Sequence, residues 1–104
     1  MTKIISEIGV NWQGDIRIAK EMIFQSKRAG ADLVKFQLFN EEVIKGSKYK
    51  AELTSQIIDY NTLEELVYCA GQNTISIGVT PMYPEAFDII KHLSKSMEGS
   101  CVDF

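Results

Sequence analysis

Five polar side chains stand where apolar stretches of this sequence end: Glu7, Asn11, Lys35, Gln37 and Thr80. A carboxylate can accept or orient a proton, and a lysine ammonium is a point charge on a long stem that can reach a phosphate or carboxylate group. Amide and hydroxyl groups add neutral hydrogen-bond donors and acceptors. In combination these side chains suit the binding and conversion of a small anionic metabolite.

The apolar stretches themselves have the pattern of buried parallel strands. We predict strands at residues 4–10, 33–37 and 74–79, with amphipathic helices between them. Residues 4–37 therefore form one βαβ unit, which places the first two strands in one parallel sheet. Parallel α/β folds keep their chemistry at the carboxyl ends of the strands, so we expect the polar side chains to meet at one rim.

Short local signals mark the ends of the first two helices. Asp15 can cap the first helix by accepting a backbone N–H, and Gly30 can end it in the left-handed conformation. Thr62 and Glu65 have the spacing of a capping box, which predicts that the second helix begins there. Gly71 is expected to stop that helix.

The remaining segments are less regular. Residues 38–60 predict a long loop with a short helix near residues 51–58. Pro84 suits the first turn of a third helix, and residues 101–104 have the pattern of a fourth strand that is just starting. The inner face of the third helix is predicted to consist of Phe87, Ile90 and Leu93.

The element count predicts an α/β fold of three βα units and the start of a fourth strand. A closed eight-stranded barrel takes about 250 residues, so 104 residues cannot close one. An open sheet of this size has unpaired backbone groups at both edges. Two architectures follow: a small open α/β sheet, or the front part of a barrel.

The motifs resemble the N-terminal part of the sialic acid synthases, the NeuB family. The similarity lies in residues 7–15, 29–37, 68–69 and 80–81, taken in order and spacing. It implies that residues 1–104 are the N-terminal portion of an incomplete TIM (β/α)8 barrel. The second half of the barrel and the family's C-terminal antifreeze-like domain are then absent from these 104 residues.

The resemblance also implies a reaction. Enzymes of this family condense phosphoenolpyruvate with an N-acetylated amino sugar, such as N-acetylmannosamine, to a nonulosonic acid, and they release phosphate. Glu7 matches the family's active-site glutamate and is the candidate catalytic residue, which orients substrate or handles a proton. Lys35 and Thr80 match phosphoenolpyruvate-binding positions. Gln37 and Asn11 match motif positions and are further candidates for substrate binding.

The family uses a divalent metal ion, Mn²⁺ or Mg²⁺, whose ligands are not expected in this chain. His92 is the only histidine, and its apolar neighbours on a predicted helix indicate a helix-surface residue. The chain also has Trp12 where the family usually has histidine, and Val79 in place of a serine. Because the resemblance implies that roughly half of the family's active-site residues, the metal ligands among them, are absent from these 104 residues, we expect little or no turnover from the chain alone.

Composition excludes several classes of protein. The 104 residues suit one domain, and a net charge of -3 offers no basic face for nucleic acid. No apolar run approaches a membrane span and no signal peptide is recognisable, so a cytoplasmic location is expected. Cys69 and Cys101 lack metal-ligand spacing and are expected to be reduced, partly buried thiols.

Two further hypotheses remain open. The chain could be a non-catalytic barrel fragment that functions by association, either as a homo-oligomer or with a complementing chain. It could also belong to another phosphoenolpyruvate-condensing aldolase, because fold alone does not select the acceptor substrate. In each enzymatic reading the partners are small molecules rather than nucleic acid or a membrane.

Overall fold

A computed structural model describes residues 2–96 as a helix-covered parallel sheet. Strands and helices alternate along the chain, apart from two short helices between the second strand and the third. The elements of this part are β1 (Ile5–Gly9), α1 (Ile16–Arg28), β2 (Leu33–Leu38), α2 (Glu41–Ile44), α3 (Lys50–Thr54), α4 (Tyr60–Gln72), β3 (Ser76–Pro81) and α5 (Pro84–Ser96).

The sheet has the order β1-β2-β3, and both pairings are parallel. This confirms the α/β class and the parallel βαβ unit predicted from the apolar pattern. The carboxyl ends of the three strands therefore lie at one end of the sheet, where each strand passes into the segment that leads to its helix.

One face of the sheet carries the core. Alternate residues of β2, Val34, Phe36 and Leu38, are completely buried against the helices. The helices α1, α4 and α5 supply the opposite side of this core through Ile23, Leu66 and other apolar side chains. Full burial of one such side chain stabilises the fold by about 1.5–3 kcal/mol. Because side chains alternate along a strand, the residues between these positions face the other side of the sheet.

The ends of α1 lie where the sequence predicts them. The Asp15 side chain accepts a hydrogen bond from the backbone N–H of Arg17 at 2.9 Å, which caps the first turn. Gly30 follows the helix with a φ of +95°, a conformation that glycine adopts without a Cβ clash. Both predictions are confirmed.

The predicted start of α4 is wrong. The helix begins at Tyr60, and Asp59 is its N-cap because the Asp59 carboxylate accepts the Thr62 backbone N–H at 2.8 Å. Thr62 and Glu65 therefore form no capping box at the helix start. Aspartate is a better N-cap than threonine, so the aspartate three residues earlier determines the start.

The predicted end of α4 is also wrong, and β3 lies two residues later than expected. The helix continues through Gly71 to Gln72, and its C-cap Asn73 donates a side-chain hydrogen bond to the Cys69 carbonyl at 2.9 Å. The next residue, Thr74, belongs to this helix end because its N–H bonds to the Gly71 carbonyl. The strand consequently spans residues 76–81 and includes Thr80.

α5 begins at Pro84 as predicted, but its inner face differs. Ile90 and Leu93 are buried, whereas Phe87 is 61% exposed and Ala86 is fully buried in its place. A helix that starts at Pro84 turns residue 86 toward the sheet, and residue 87 is rotated away by about 100°.

The segment after β2 forms two short helices where one was predicted, and the predicted fourth strand lies outside the described residues.

None of the helices within residues 2–96 combines the length and the apolar character that crossing a bilayer requires.

The only described cysteine, Cys69, is a buried free thiol, as predicted, while Cys101 lies outside the described residues. Burial raises the pKa of the Cys69 thiol.

Candidate functional site

The strand register brings four of the five candidate side chains to one face of the sheet. Glu7 of β1 pairs with Lys35 of β2, and Gln37 of β2 pairs with Thr80 of β3. Lys35 and Gln37 are two residues apart on one strand, so all four side chains leave the sheet on the same side. This is the face opposite the helix-covered core, and each of the four residues is at least partly exposed.

An irregularity in β1 follows directly after Glu7. Glu7 pairs with Lys35, but the next paired positions are Gly9 and Phe36, so Ile8 is an extra residue on the first strand. Gly9 has a φ of +55°, and a Cβ added there would lie 3.4 Å from the Glu7 Oε1 atom. Bulges of this kind end strand pairing and redirect side chains beside functional sites. The carboxylate of Glu7 thus lies against the backbone of the glycine that ends its strand.

Asn11 lies in the turn beyond this bulge. Its backbone N–H donates to the Ile8 carbonyl at 2.9 Å, and its side chain is exposed at the carboxyl end of the sheet. The turn ends at Gly14, whose φ is +73°; a Cβ there would approach the Ser55 carbonyl oxygen to 2.4 Å. The turn after β1 therefore packs tightly against the segment after α3.

Trp12 points into the protein rather than toward the rim. Its side chain is 3% exposed and belongs to the core cluster, while its indole Nε1 has no hydrogen-bond partner. The Gln56 Oε1 atom is the other buried side-chain polar atom without a partner in the described part of the chain. Trp12, which stands where the family usually has histidine, is therefore a packing residue of the core. No signal in the sequence indicated whether this tryptophan would face the core or the candidate site.

The charges at this face are uncompensated by local ion pairs. Among residues 2–96, the ion pairs join Arg17 to Asp15, Lys20 to Glu65 and Lys45 to Glu42, and none engages Glu7 or Lys35. The three pairs lie on helices and at a helix cap, away from the strand face. The Lys35 ammonium is thus a cation that none of the ion pairs within residues 2–96 engages.

The described residues do not fit a divalent-metal site. No group of three or more histidine, cysteine, aspartate or glutamate side chains within that part of the chain could hold an ion. His92 is exposed on α5 and makes an edge-to-face contact with the Tyr60 ring at a centroid distance of 5.6 Å. That contact agrees with the prediction of a helix-surface histidine.

A separate cleft lies at the other end of the sheet. It has a volume of about 440 Å³ and runs beside the start of β1 and the second half of α1. Its lining carries no charged group and is mostly apolar, so it offers no anion-binding chemistry. The lining residues are Ile4, Ser6, Met22, Gln25, Ser26, Ala29 and Ala31.

Comparison with known sequences shows relatives that are named N,N'-diacetyllegionaminic acid synthase and N-acetylneuraminate-9-phosphate synthase, although no family model matches the chain. The N,N'-diacetyllegionaminic acid synthase of Campylobacter jejuni is 32% identical, over 88% of this chain and 32% of the relative. The enzyme of the same name from Legionella pneumophila is 49% identical over 41 residues, which is 39% of this chain and 12% of the relative.

Comparison with solved structures gives the same result. The N-acetylneuraminic acid (sialic acid) synthetase of Leptospira borgpetersenii, solved in complex with citrate, superposes with a TM-score of 0.79 and 27% identity. The superposition covers 86% of this chain and 32% of the synthetase. This chain thus spans about a third or less of the length of the proteins it matches.

Proposed function

Because this chain belongs to the sialic acid synthase family, we propose that it forms the first three βα units of a (β/α)8 barrel and carries part of a phosphoenolpyruvate site. In the complete reaction, C3 of phosphoenolpyruvate bonds to the aldehyde carbon of an N-acetylated amino sugar. Water then adds at C2, and the phosphate leaves. This proposal concerns a whole enzyme of which the chain supplies one portion.

One observation carries the proposal: the register that puts Lys35, Gln37 and Thr80 on one face with Glu7. Phosphoenolpyruvate carries a phosphate and a carboxylate, and it needs a cation together with neutral donors. The Lys35 ammonium supplies the charge, and the Gln37 amide and the Thr80 hydroxyl supply hydrogen bonds. The Leptospira relative was solved with citrate, which is also a small carboxylate anion.

The other two residues act on the reacting groups. Glu7 stands beside Lys35, where its carboxylate can orient the substrate or hold a proton during the addition. Asn11 is exposed in the turn beyond and can hydrogen-bond the acceptor sugar. The divalent ion of the family is proposed to bind through residues other than those described, since these lack a ligand cluster.

Titration of the 104-residue chain with phosphoenolpyruvate, followed by ³¹P NMR or calorimetry, tests the anion site. A hydrogen bond from a charged group contributes about 1.5–3 kcal/mol, so we expect Lys35→Met to weaken binding by about tenfold or more. Lys91→Met is the matched control, because Lys91 is exposed on α5 and its replacement changes the net charge equally. Equal losses from the two substitutions would refute a specific role for Lys35.

Activity provides a second readout. We expect the chain alone to release no phosphate from phosphoenolpyruvate in the presence of N-acetylmannosamine and Mn²⁺, because part of the catalytic machinery is proposed to lie elsewhere. Product formation by the chain alone would contradict the proposed division of the site.

Association is a second candidate function, and the edge of β1 favours it. Within the described sheet β1 pairs only with β2, and Ile4 and Ile5 beside that edge are 56% and 57% exposed. The apolar cleft runs along the same edge. A second copy or a complementing chain would cover this surface and pair with the strand. Light scattering at several concentrations tests association with a second copy, and a monomer at every concentration would contradict that form of it. Ile4→Lys should weaken any association that occurs.

A further inference from the structure

The turn after β1 carries a second exposed amide, Gln13, close in sequence to the candidate residue Asn11. The backbone N–H of Asp15 donates to the Trp12 carbonyl at 3.0 Å, and the two residues between them, Gln13 and Gly14, have φ values of +58° and +73°. A hydrogen-bonded turn of four residues with positive φ at both central residues is of type I′. Gln13 occupies the first central position of this turn, and its side chain is exposed.

The backbone conformation at position 13 is unfavourable for glutamine. Residues with a Cβ are disfavoured at positive φ, and type I′ turns accordingly prefer glycine, asparagine or aspartate at both central positions. The turn follows this preference at Gly14 but not at Gln13. Thr74 is the other non-glycine residue with positive φ in the described part of the chain. Glutamine at position 13 therefore lowers the stability of the turn.

Contacts within the protein do not offset this loss. The Gln13 side chain is exposed, so it packs against no core, and its amide makes no hydrogen bond to any residue within 2–96. The exposed Gln25 and Gln72 differ, because each donates one side-chain hydrogen bond. Unfavourable backbone conformations are retained mainly at functional sites, where they hold a side chain for a ligand. The conformation and the free amide together indicate a role in binding rather than in folding.

The location of the turn relates this amide to the candidate site. The turn lies at the carboxyl end of β1, beyond the bulge that follows Glu7. Asn11 and Gln13 are two neutral, exposed amides on one connection, whereas Lys35 on the strand face is a cation. An amide side chain both donates and accepts hydrogen bonds, which suits the hydroxyl and acetamido groups of an uncharged sugar.

We propose that Gln13 is a further substrate-binding residue, whose amide hydrogen-bonds the uncharged, N-acetylated acceptor sugar together with Asn11. This inference rests on the proposed function, and it assigns the acceptor rather than phosphoenolpyruvate to the turn after β1. Gln13 should consequently affect the affinity for one substrate and not for the other.

Gln13→Gly tests the inference, because it removes the amide and introduces a residue that suits positive φ. We expect the affinity of the chain for N-acetylmannosamine, measured by NMR titration, to fall by about fivefold, which corresponds to one neutral hydrogen bond. The affinity for phosphoenolpyruvate should stay unchanged, and thermal unfolding should occur at the same or a higher temperature. A residue with only a structural role would not lower the sugar affinity without lowering stability.

Thr74→Gly is the matched control. Thr74 is exposed, has a φ of +55°, and lies between α4 and β3, at the opposite end of the sheet from the turn after β1. The substitution relieves the same kind of backbone conformation and should leave both affinities unchanged.

The outcomes separate the inference from the proposed function. If Gln13→Gly binds the sugar as tightly as the unsubstituted chain does, or loses affinity for both substrates equally, the inference is overturned and the proposed function stands. The inference is also overturned if the unsubstituted chain binds phosphoenolpyruvate but not the sugar. If the unsubstituted chain does not bind phosphoenolpyruvate, the proposed function itself fails, and the inference fails with it.

Discussion

Glu7 and Lys35 occupy paired positions on neighbouring parallel strands, and their side chains leave the sheet on the same face. No ion pair joins them within the described residues, so neither charge is neutralised by the other in a closed contact. A carboxylate and an ammonium held side by side by backbone register can act on different groups of one ligand. This pair defines the electrostatics of the candidate site.

The Glu7 charge should weaken anion binding, and its removal should strengthen it. Two unit charges a few ångströms apart near a protein surface interact by about 1 kcal/mol or more before salt screening. We expect Glu7→Gln to bind phosphoenolpyruvate about two- to fivefold more tightly, in the opposite direction to Lys35→Met. The gain should shrink in titrations at high salt. Unchanged or weaker binding by Glu7→Gln would show that the carboxylate does not face the anion.

Gly14 should tolerate no side chain. A Cβ at this position would meet the Ser55 carbonyl oxygen at 2.4 Å, and the φ of +73° disfavours any residue with a Cβ. We expect Gly14→Ala to destabilise the fold by more than about 1 kcal/mol, measured by chemical denaturation. Gly71→Ala is the matched control: Gly71 lies within α4 with open space around it, and the same substitution should stabilise by about 0.5–1 kcal/mol.

The Asp59 cap should make the stability of the fold depend on pH. The backbone N–H of Thr62 donates to the Asp59 carboxylate and lowers the pKa of this group below its ordinary value. A lowered pKa means that the stabilisation is present above the unfolded-state value, about 3.9, and is lost as the pH falls through the folded-state value. Asp59→Ala should therefore cost about 1 kcal/mol at neutral pH, and the difference from the unsubstituted chain should decrease in acid.

Asp59→Asn separates the charge from the cap. Asparagine caps helices as well as aspartate does but does not titrate, so its advantage over alanine should be independent of pH. Denaturant unfolding at pH 7 and at pH 3 measures all three proteins. A constant difference between aspartate and alanine at both values would contradict the assignment of the cap to a titrating carboxylate.

The ends of a helix could be predicted from the sequence where one residue beside the helix determines them. Asp15 and Gly30 bound α1 because capping and left-handed conformations depend on neighbouring residues alone. The start of α4 was missed because Asp59 and Thr62 are both acceptable caps, and sequence alone gave no decision between them.

The candidate site depends on register, which is not a local property. Side chains of a strand alternate between its two faces, which predicts that Lys35 and Gln37 share a face. This alternation does not predict which residues of the neighbouring strands stand beside them. The pairing of β1 and of β3 with β2 places Glu7 beside Lys35 and Thr80 beside Gln37.

The structure and the sequence prediction differ on which residues of α5 face the core, and substitutions at Ile90 and Phe87 test this difference. Ile90 is 6% exposed in the core, and Ile90→Ala should destabilise the fold by about 2–4 kcal/mol because it removes buried methyl groups and leaves a cavity. Phe87 is 61% exposed on the same helix, so Phe87→Ala should change the free energy of unfolding by no more than about 0.5 kcal/mol despite the larger side chain. Chemical denaturation of both variants measures the difference. A loss from Phe87→Ala as large as that from Ile90→Ala would mean that another surface of the protein covers Phe87 in solution.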